Sequence, residues 1–325
     1  IDEFYEKGYE IIYIGSTKGA DKDWFAEYPK IKKAYFLDTK GVVNQKLFGK
    51  IKSLFDILKQ TFFCIKIFNQ YHITQIISVG GFSAATASFG AIFSKRDFFI
   101  HEQNSVMGNL NRLTSKKATE IFSSYDNSAT IKDYPINPTF FEYQRVRKTL
   151  NTIIFLGGSQ GASAINNLAI KLAPQLQKLN IHIIHQTGKN DYIKIKDKYK
   201  QLGIQAEVFD FSKDILEYMN KADFAISRSG ASTLWELCAL GLPSLFIPYP
   251  YAAADHQYYN AKFLSDKNLA LVKRENELDD IIQDIEVINL ESISQELFKQ
   301  IYKDGVKKIV DRIISHQNTK ENKNG

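Results

Sequence analysis

Apolar and polar positions alternate along the chain with two periods, one typical of strands and one of helices. Short apolar runs of strand type fall at 10–14, 34–37, 75–79, 98–100 and 120–122. Longer stretches with helical spacing, near 46–70, 84–94 and 108–118, separate several of them. Residues 128–150 are polar, lack a clear period and carry Pro135 and Pro138, so they read as an inter-domain linker. A second alternating half follows, with strands predicted at 152–156, 181–185, 206–209, 224–227, 244–247 and 269–272. Its helices are predicted near 162–178, 191–202, 214–221, 232–240 and 255–266. Strand–helix alternation means parallel sheets covered on both faces. Two such halves predict an α/β protein of two doubly wound, Rossmann-like domains facing a cleft.

The expected boundaries are 1–135 for the first domain and 136–299 for the second. A last helical pattern covers about 291–316, of which 300–316 is expected to rejoin the first domain. The polar residues 317–325 read as a disordered tail. The chain opens on Ile1, and residues 1–8 look like the end of a helix stopped by Gly8. In an alternating fold that helix follows a strand, so the first strand and first glycine-rich loop are expected upstream of Ile1.

Composition narrows the class without naming a function. A length of 325 residues fits two domains, and 44% apolar against 24% charged residues excludes a disordered chain. Two cysteines, Cys64 and Cys238, make neither a disulfide framework nor a cysteine zinc site, so a reducing cytosol is expected. No apolar run approaches the roughly 20 residues of a membrane-spanning helix. The excess of 42 Lys and Arg over 36 Asp and Glu is mildly basic, a weak pointer to an anionic partner.

The sharpest local chemistry lies where strands run into glycine turns. Ile153 to Leu156 leads into Gly157-Gly158-Ser159-Gln160-Gly161-Ala162, and a helix starts at once. Glycines permit close backbone approach, and the free N–H groups of a helix N-terminus favour a phosphate. A tight turn with no ligand has the same pattern. Arg228-Ser229-Gly230-Ala231-Ser232-Thr233-Leu234 forms a second such turn, where backbone N–H groups at Ala231, Ser232, Thr233 and Leu234 suit an anion. Glu236 lies a turn further on, where a carboxylate is able to accept from a ribose diol. Equally, Ser232 serves as an N-cap and Glu236 complements the helix dipole. His256-Gln257 suits sugar hydroxyls, or simply starts a solvated helix. In the first half, Ser78-Val79-Gly80-Gly81 repeats the strand–glycine–helix turn, and His101-Glu102-Gln103-Asn104 closes a strand at the edge where open α/β sheets bind ligands.

Taken together and in order, Gly80-Gly81-Phe82-Ser83, His101-Glu102-Gln103-Asn104, Gly157 to Ala162, Arg228 to Glu236, Gly241-Leu242-Pro243 and His256-Gln257 before Asn260-Ala261 resemble the MurG family of N-acetylglucosaminyltransferases. The likeness spans nearly the whole chain. It implies a GT-B fold and an inverting transfer of GlcNAc that needs neither metal nor other cofactor. The implied donor is UDP-GlcNAc, the acceptor muramyl-pentapeptide on undecaprenyl pyrophosphate (lipid I), and the product lipid II of peptidoglycan synthesis. The implied location is the cytoplasmic face of the bacterial inner membrane, with no nucleic-acid partner.

Carried over motif by motif, Ser212 falls where the family's backbone reads uracil, and Ile215 packs beside it. Ser159 meets the diphosphate with Ala231, Ser232, Thr233 and Leu234, while Glu236 takes the ribose. His256 and Gln257 read the GlcNAc hydroxyls, and Asn104 the acetamido group. The sequence departs from the family in three places. The first glycine-rich loop, with the histidine often proposed as base, is expected before Ile1, so no catalytic residue is named among those given. Ser78 and Phe82 replace the usual Gly and Tyr, and Asn137-Pro138-Thr139-Phe140 lacks a donor-contacting arginine. Another GT-B lipid glycosyltransferase, or a non-catalytic nucleotide-sugar-binding chain completed by a partner, shares these donor motifs.

One segment points to a membrane. Residues 46–69 carry Leu47, Ile51, Leu54, Phe55 and Leu58 at helical spacing, with Lys46, Lys50, Lys52, Lys59 and Lys66 against a single Asp56. An apolar stripe flanked by lysines suits an anionic leaflet, although such stripes usually pack on their own sheet.

Overall fold

The computed structural model describes residues 1–18, 21–38, 47–126, 128–158 and 161–324. The chain divides into two compact units, one of Ile1–Gln103, Met107–Lys132 and Val306–Gly325, the other of Asn104–Val106 and Asp133–Gly305.

The first unit begins with the short helix α1 (Asp2–Glu6), after which Gly8 takes a left-handed conformation. Strand β1 (Ile12–Ser16), helix α2 (Asp21–Phe25) and strand β2 (Lys33–Leu37) form a parallel pair. Helix α3 (Leu47–Gln70), β3 (Gln75–Ser78), α4 (Gly81–Phe93), β4 (Asp97–Glu102), α5 (Asn109–Thr114) and β5 (Glu120–Ser123) build a parallel three-stranded sheet in the order β3-β4-β5. Strand β4 is apolar on both faces. Phe98 and Ile100 pack with Cys64 and Phe68 of α3 and Ala91 of α4, while Phe99 meets Phe122, Ile309 and Ile313. Gly90 lets α4 lie against α3, because a Cβ there would sit 3.1 Å from Phe68.

Ile309 and Ile313 belong to the C-terminal helix (Gly305–Asn324). The helical pattern over 291–316 falls into two helices, α13 (Leu290–Leu297) and this one, whose residues from Val306 on lie in the first unit. Packing explains the break: Phe298 lies directly over Gly241, and Gly305 fits a space where a Cβ would sit 2.6 Å from the Asp133 side chain. The polar end is helical through Asn324 rather than a disordered tail. Extending a helix already anchored by apolar contacts avoids the cost of nucleation.

The second unit runs α6 (Thr139–Glu142), β6 (Thr152–Leu156), α7 (Ser163–Lys178), β7 (His182–Gln186), α8 (Tyr192–Leu202) and β8 (Glu207–Phe209). It continues with α9 (Ile215–Lys221), β9 (Phe224–Ser227), α10 (Ala231–Leu240), β10 (Ser244–Phe246), α11 (His256–Ser265), β11 (Leu271–Val272), α12 (Ile281–Glu286) and α13. The six parallel strands lie in the order β11-β10-β9-β6-β7-β8. The chain therefore starts in the middle of the sheet, winds outward one way, then returns and winds the other way. The reversal falls between β6 and β9, whose Leu156 and Ser227 are paired at their carboxyl ends. Open α/β sheets bind ligands at such a switch point.

Strand β6 is held at its start by Asp223, whose carboxylate accepts from the N–H groups of Asn151 (3.0 Å) and Thr152 (3.1 Å) and pairs with Arg145 at 2.9 Å. Arg147 is fully buried behind it, donating to the carbonyls of Arg145 and Leu240. Burial, and the charge of Arg145, pull its guanidinium down to about 9.

Candidate functional site

Both glycine turns of the second unit lie at the switch point. After β6, Gly157 donates its N–H to Gln186 O at 2.9 Å, and Gly158 and Gly161 have φ of +73° and +84°. A Cβ on Gly157 would sit 2.8 Å from Gln186 O, and one on Gly161 2.8 Å from Thr187 O. Glycine is therefore required twice, because the loop lies directly on the backbone that follows β7. Ala162 precedes α7 in an extended conformation, so the free N–H groups of that helix open onto the loop. Ser159 and Gln160 lie outside the described residues.

After β9, Gly230 precedes α10 in an extended conformation, and Leu234 N–H closes the first helical bond, to Gly230 O at 3.0 Å. The helix-end donors are thus those of residues 231–233. Leu234, expected to share that role, spends its N–H inside the helix and buries its side chain. Ser232 is exposed, with its hydroxyl 3.4 Å from Tyr134 Oη. Glu236 is partly buried one turn on, and desolvation pushes its carboxyl up to about 7. Arg228, at the head of this turn, is a clamp. It donates to the carbonyls of Ile247 (3.0 Å) and Pro248 (3.1 Å) and pairs with Glu275 at 2.6 Å.

A third element is the start of α11, whose Asn260 reaches the turn after β9 at Ser229. Ala254 and Asp255 both have positive φ, 51° and 52°, and Asp255 is held by Arg274 at 2.7 Å. Such backbone costs roughly 1–3 kcal/mol per residue and persists only where its surroundings fix it. The result is a sharp entry that fixes the next two side chains. His256 Nδ1 lies 2.8 Å from Ala253 O, an acceptor, so Nδ1 carries the proton and Nε2 is left to accept. Gln257 Oε1 accepts from Tyr249 N–H at 2.9 Å, which leaves its NH₂ as a donor. One side chain offers an acceptor and its neighbour a donor.

Asn260, one turn later, is fully buried, and sequence reasoning gave it no role. Its Oδ1 accepts from Ser105 N–H (2.8 Å), and its Nδ2 donates to Asn104 Oδ1 (3.1 Å) and Ser229 O (3.2 Å). The strand-end Asn104 is thereby tied to the turn after β9. Beyond β8, Ser212 Oγ accepts from Asp214 N–H at 2.9 Å, forming a turn that delivers the chain to Ile215 at the start of α9.

In the first unit, Gly80 and Gly81 have φ of +85° and +78°. Glu102 is buried and accepts from Gly108 N–H (3.0 Å) and Asn111 Nδ2 (2.7 Å), and Asn111 packs on Gly80 where a Cβ would sit 2.8 Å from its Nδ2. Burial pulls His101 down to about 4, so it is neutral at pH 7. On α3, Cys64, Ile67 and Phe68 face the core, while Phe55 (70% exposed), Leu58, Phe62 (65%) and Phe63 face outward with Lys59 and Lys66. Lys46 lies outside the described residues, as do the side chains of Leu47, Lys50, Ile51, Lys52 and Leu54. Among the described residues no helix is long and apolar enough to cross a membrane.

Two units built on parallel sheets, with two glycine turns at the switch point of the second and the His256–Gln257 acceptor–donor pair on α11, fit a glycosyltransferase of the GT-B class. The N-terminal domain of glycosyltransferase family 28 matches residues 1–123, and the C-terminal domain of that family matches residues 152–313. The UDP-N-acetylglucosamine–N-acetylmuramyl-(pentapeptide) pyrophosphoryl-undecaprenol N-acetylglucosamine transferase of Campylobacter jejuni serotype O:6 is 51% identical over 316 residues, covering 97% of this chain and 92% of the relative. The enzyme of the same description from Sulfurovum is 49% identical over 313 residues, covering 95% of this chain and 92% of its own. The crystal structure of Acinetobacter baumannii MurG superposes with a TM-score of 0.77 at 25% identity, covering 97% of this chain and 93% of that one. The chain belongs to the MurG family of family 28 glycosyltransferases.

Proposed function

We propose that this chain transfers GlcNAc from UDP-GlcNAc to lipid I, giving lipid II, at the surface of the membrane that holds the acceptor. The observation that carries the donor half is the convergence of two helix N-termini, those of α7 and α10, on the switch point between β6 and β9. In an inverting transfer an acceptor oxygen attacks the sugar C1 and the bond from C1 to the phosphate oxygen breaks. The acceptor proton passes to a base, and negative charge builds on the departing UDP. Prearranged N–H groups stabilise that charge as it forms, and removing one such donor typically costs about 2.7–4 kcal/mol of barrier.

In this reading the amides of residues 231–233 and the loop holding Ser159 receive the diphosphate, and Glu236 accepts from the ribose hydroxyls. The turn at Ser212 and the side chain of Ile215 take the uracil. His256 Nε2 and the Gln257 NH₂ group, an acceptor and a donor side by side, read sugar hydroxyls, each of which both gives and takes a hydrogen bond. Asn104 takes the acetamido group. The lipid-linked acceptor requires work at a bilayer, and the outward Phe55, Leu58, Phe62 and Phe63 beside lysines support peripheral docking to the anionic cytoplasmic leaflet. Transfer of radiolabel from UDP-GlcNAc to lipid I tests the proposal. Label in a product that co-migrates with lipid II is the expected result, and hydrolysis without transfer would overturn it.

A further inference from the structure

Beneath the glycine loop of the second unit runs a chain of buried side chains that the sugar chemistry does not use. His185, on β7, is fully buried, with Nδ1 3.0 Å from Tyr199 Oη and Nε2 3.0 Å from Asn166 Oδ1. Asn166 is buried in the first turn of α7, and its Nδ2 donates to Thr187 O (3.1 Å) and Asp191 Oδ2 (2.9 Å). Those two acceptors fix which end of the amide is nitrogen, so Oδ1 faces the histidine and only accepts. Nε2 must then carry the imidazole proton, Nδ1 must accept, and Tyr199 must donate. Every proton has one place, and the donors run in one direction from α8 through β7 to α7 and the loop beyond. Burial pulls His185 down to about 3 and pushes the Tyr199 phenol up, so no titration disturbs the order near neutral pH.

The chain ends against the loop. A Cβ on Gly157 would sit 3.3 Å from Asn166 Oδ1, and Gly157 N–H is bonded to Gln186 O, the residue after His185. Gly161 lies on Thr187 O, the carbonyl that also receives Asn166. Asn166 thus joins the first turn of α7 to the backbone supporting both glycines. We propose that His185, ordered by Tyr199, is a positioning residue that sets Asn166 and through it the backbone at Gly157 and Gly161, the two glycines of the turn that receives the diphosphate. The inference rests on the donor reading above and goes beyond it by assigning a buried group that touches no substrate.

The test compares UDP with uridine, which lacks the diphosphate, on the 325-residue chain, by calorimetry and saturation-transfer NMR. His185→Leu keeps the volume but leaves Tyr199 and Asn166 without their partner. It should weaken UDP about tenfold, equivalent to about 1.4 kcal/mol, while uridine affinity stays within about twofold. His185→Gln, which both accepts and donates, should recover part of the loss. Tyr199→Phe should shift UDP affinity the same way by a smaller factor, and it decides the matter if His185→Leu does not fold. A parallel loss of UDP and uridine, or unchanged UDP affinity in folded variants, would overturn the inference. A wild-type chain that binds neither molecule would instead defeat the donor reading on which it rests.

Discussion

Asn260 holds Asn104 by a hydrogen bond of 3.1 Å while its other polar atom takes the N–H of Ser105, the next residue. A side chain with no exposed surface therefore orients the strand-end asparagine assigned to the acetamido group. Asn260→Ala removes three hydrogen bonds, at about 1–3 kcal/mol for each polar group that stays buried without a replacement. The expected outcome is a lower melting temperature, and a preference for UDP-GlcNAc over UDP-glucose that shrinks toward unity while UDP affinity is kept. Calorimetry with the three nucleotides checks it. A preserved preference would remove Asn104 from acetamido recognition.

Glu236 gives a pH dependence with a definite sign. Its folded carboxyl titrates at about 7, above the ordinary value, because burial disfavours the anion. Between the ordinary value and about 7 the folded state holds more protons than the unfolded state. Stability without ligand therefore falls as pH rises through that window, and Glu236→Gln should flatten the fall. Ribose binding runs the opposite way, since the anion is the better acceptor, so UDP affinity should rise from pH 6 to 8 in the wild type and stay level in Glu236→Gln. Glu236→Ala should weaken UDP at pH 8 without unfolding the chain. If both variants track the wild type, the residue serves only the helix.

Gly161→Ala places a Cβ 2.8 Å from Thr187 O at a φ of +84°, two faults at one position. A destabilisation of about 1–3 kcal/mol is expected in urea unfolding, with UDP binding weakened beyond what the lost stability explains. Gly203→Ala provides the control. It also has positive φ, at +66°, but no atom lies within 4 Å of its added Cβ, so it should cost stability and leave UDP affinity alone.

Phe55 and Phe62 are far more exposed than core phenylalanines, so Phe55→Ser with Phe62→Ser should leave the melting temperature nearly unchanged. Sedimentation with vesicles containing anionic lipid should fall several-fold in the double variant. Replacing Lys59 and Lys66 with Gln should reduce the preference for anionic over neutral vesicles, by roughly 1 kcal/mol per lysine at the surface. Equal sedimentation of wild type and variants would mean that α3 is not the docking face.

Much of this molecule is written locally. Short continuous apolar runs between turns, such as Phe98-Phe99-Ile100 and Ile153-Ile154-Phe155, mark strands buried on both faces, as in parallel sheets. Glycine after a strand and before a helix specifies a turn with free amides, and both switch-point turns were legible for that reason. Order along the chain then identified the family, because several short motifs in sequence are far more restrictive than one.

What the tertiary structure decided are relations between distant positions and small competitions between donors. Which N–H groups at the start of α10 remain free depends on where the helix closes its first bond, and that bond takes Leu234 from the set. The guanidinium of Arg228 is claimed by two carbonyls after β10 and by Glu275, partners that the turn motif itself does not reveal. The helical pattern over 291–316 is broken because Phe298 and Gly305 are fitted to Gly241 and Asp133, residues far away in sequence. His185 on β7 meets its partners Asn166 and Tyr199 only because α7 and α8 bring them to one place. Periodicity reports which face of an element is apolar, because burial acts on each residue by itself. A hydrogen bond needs two groups, and only the folded chain decides which two meet.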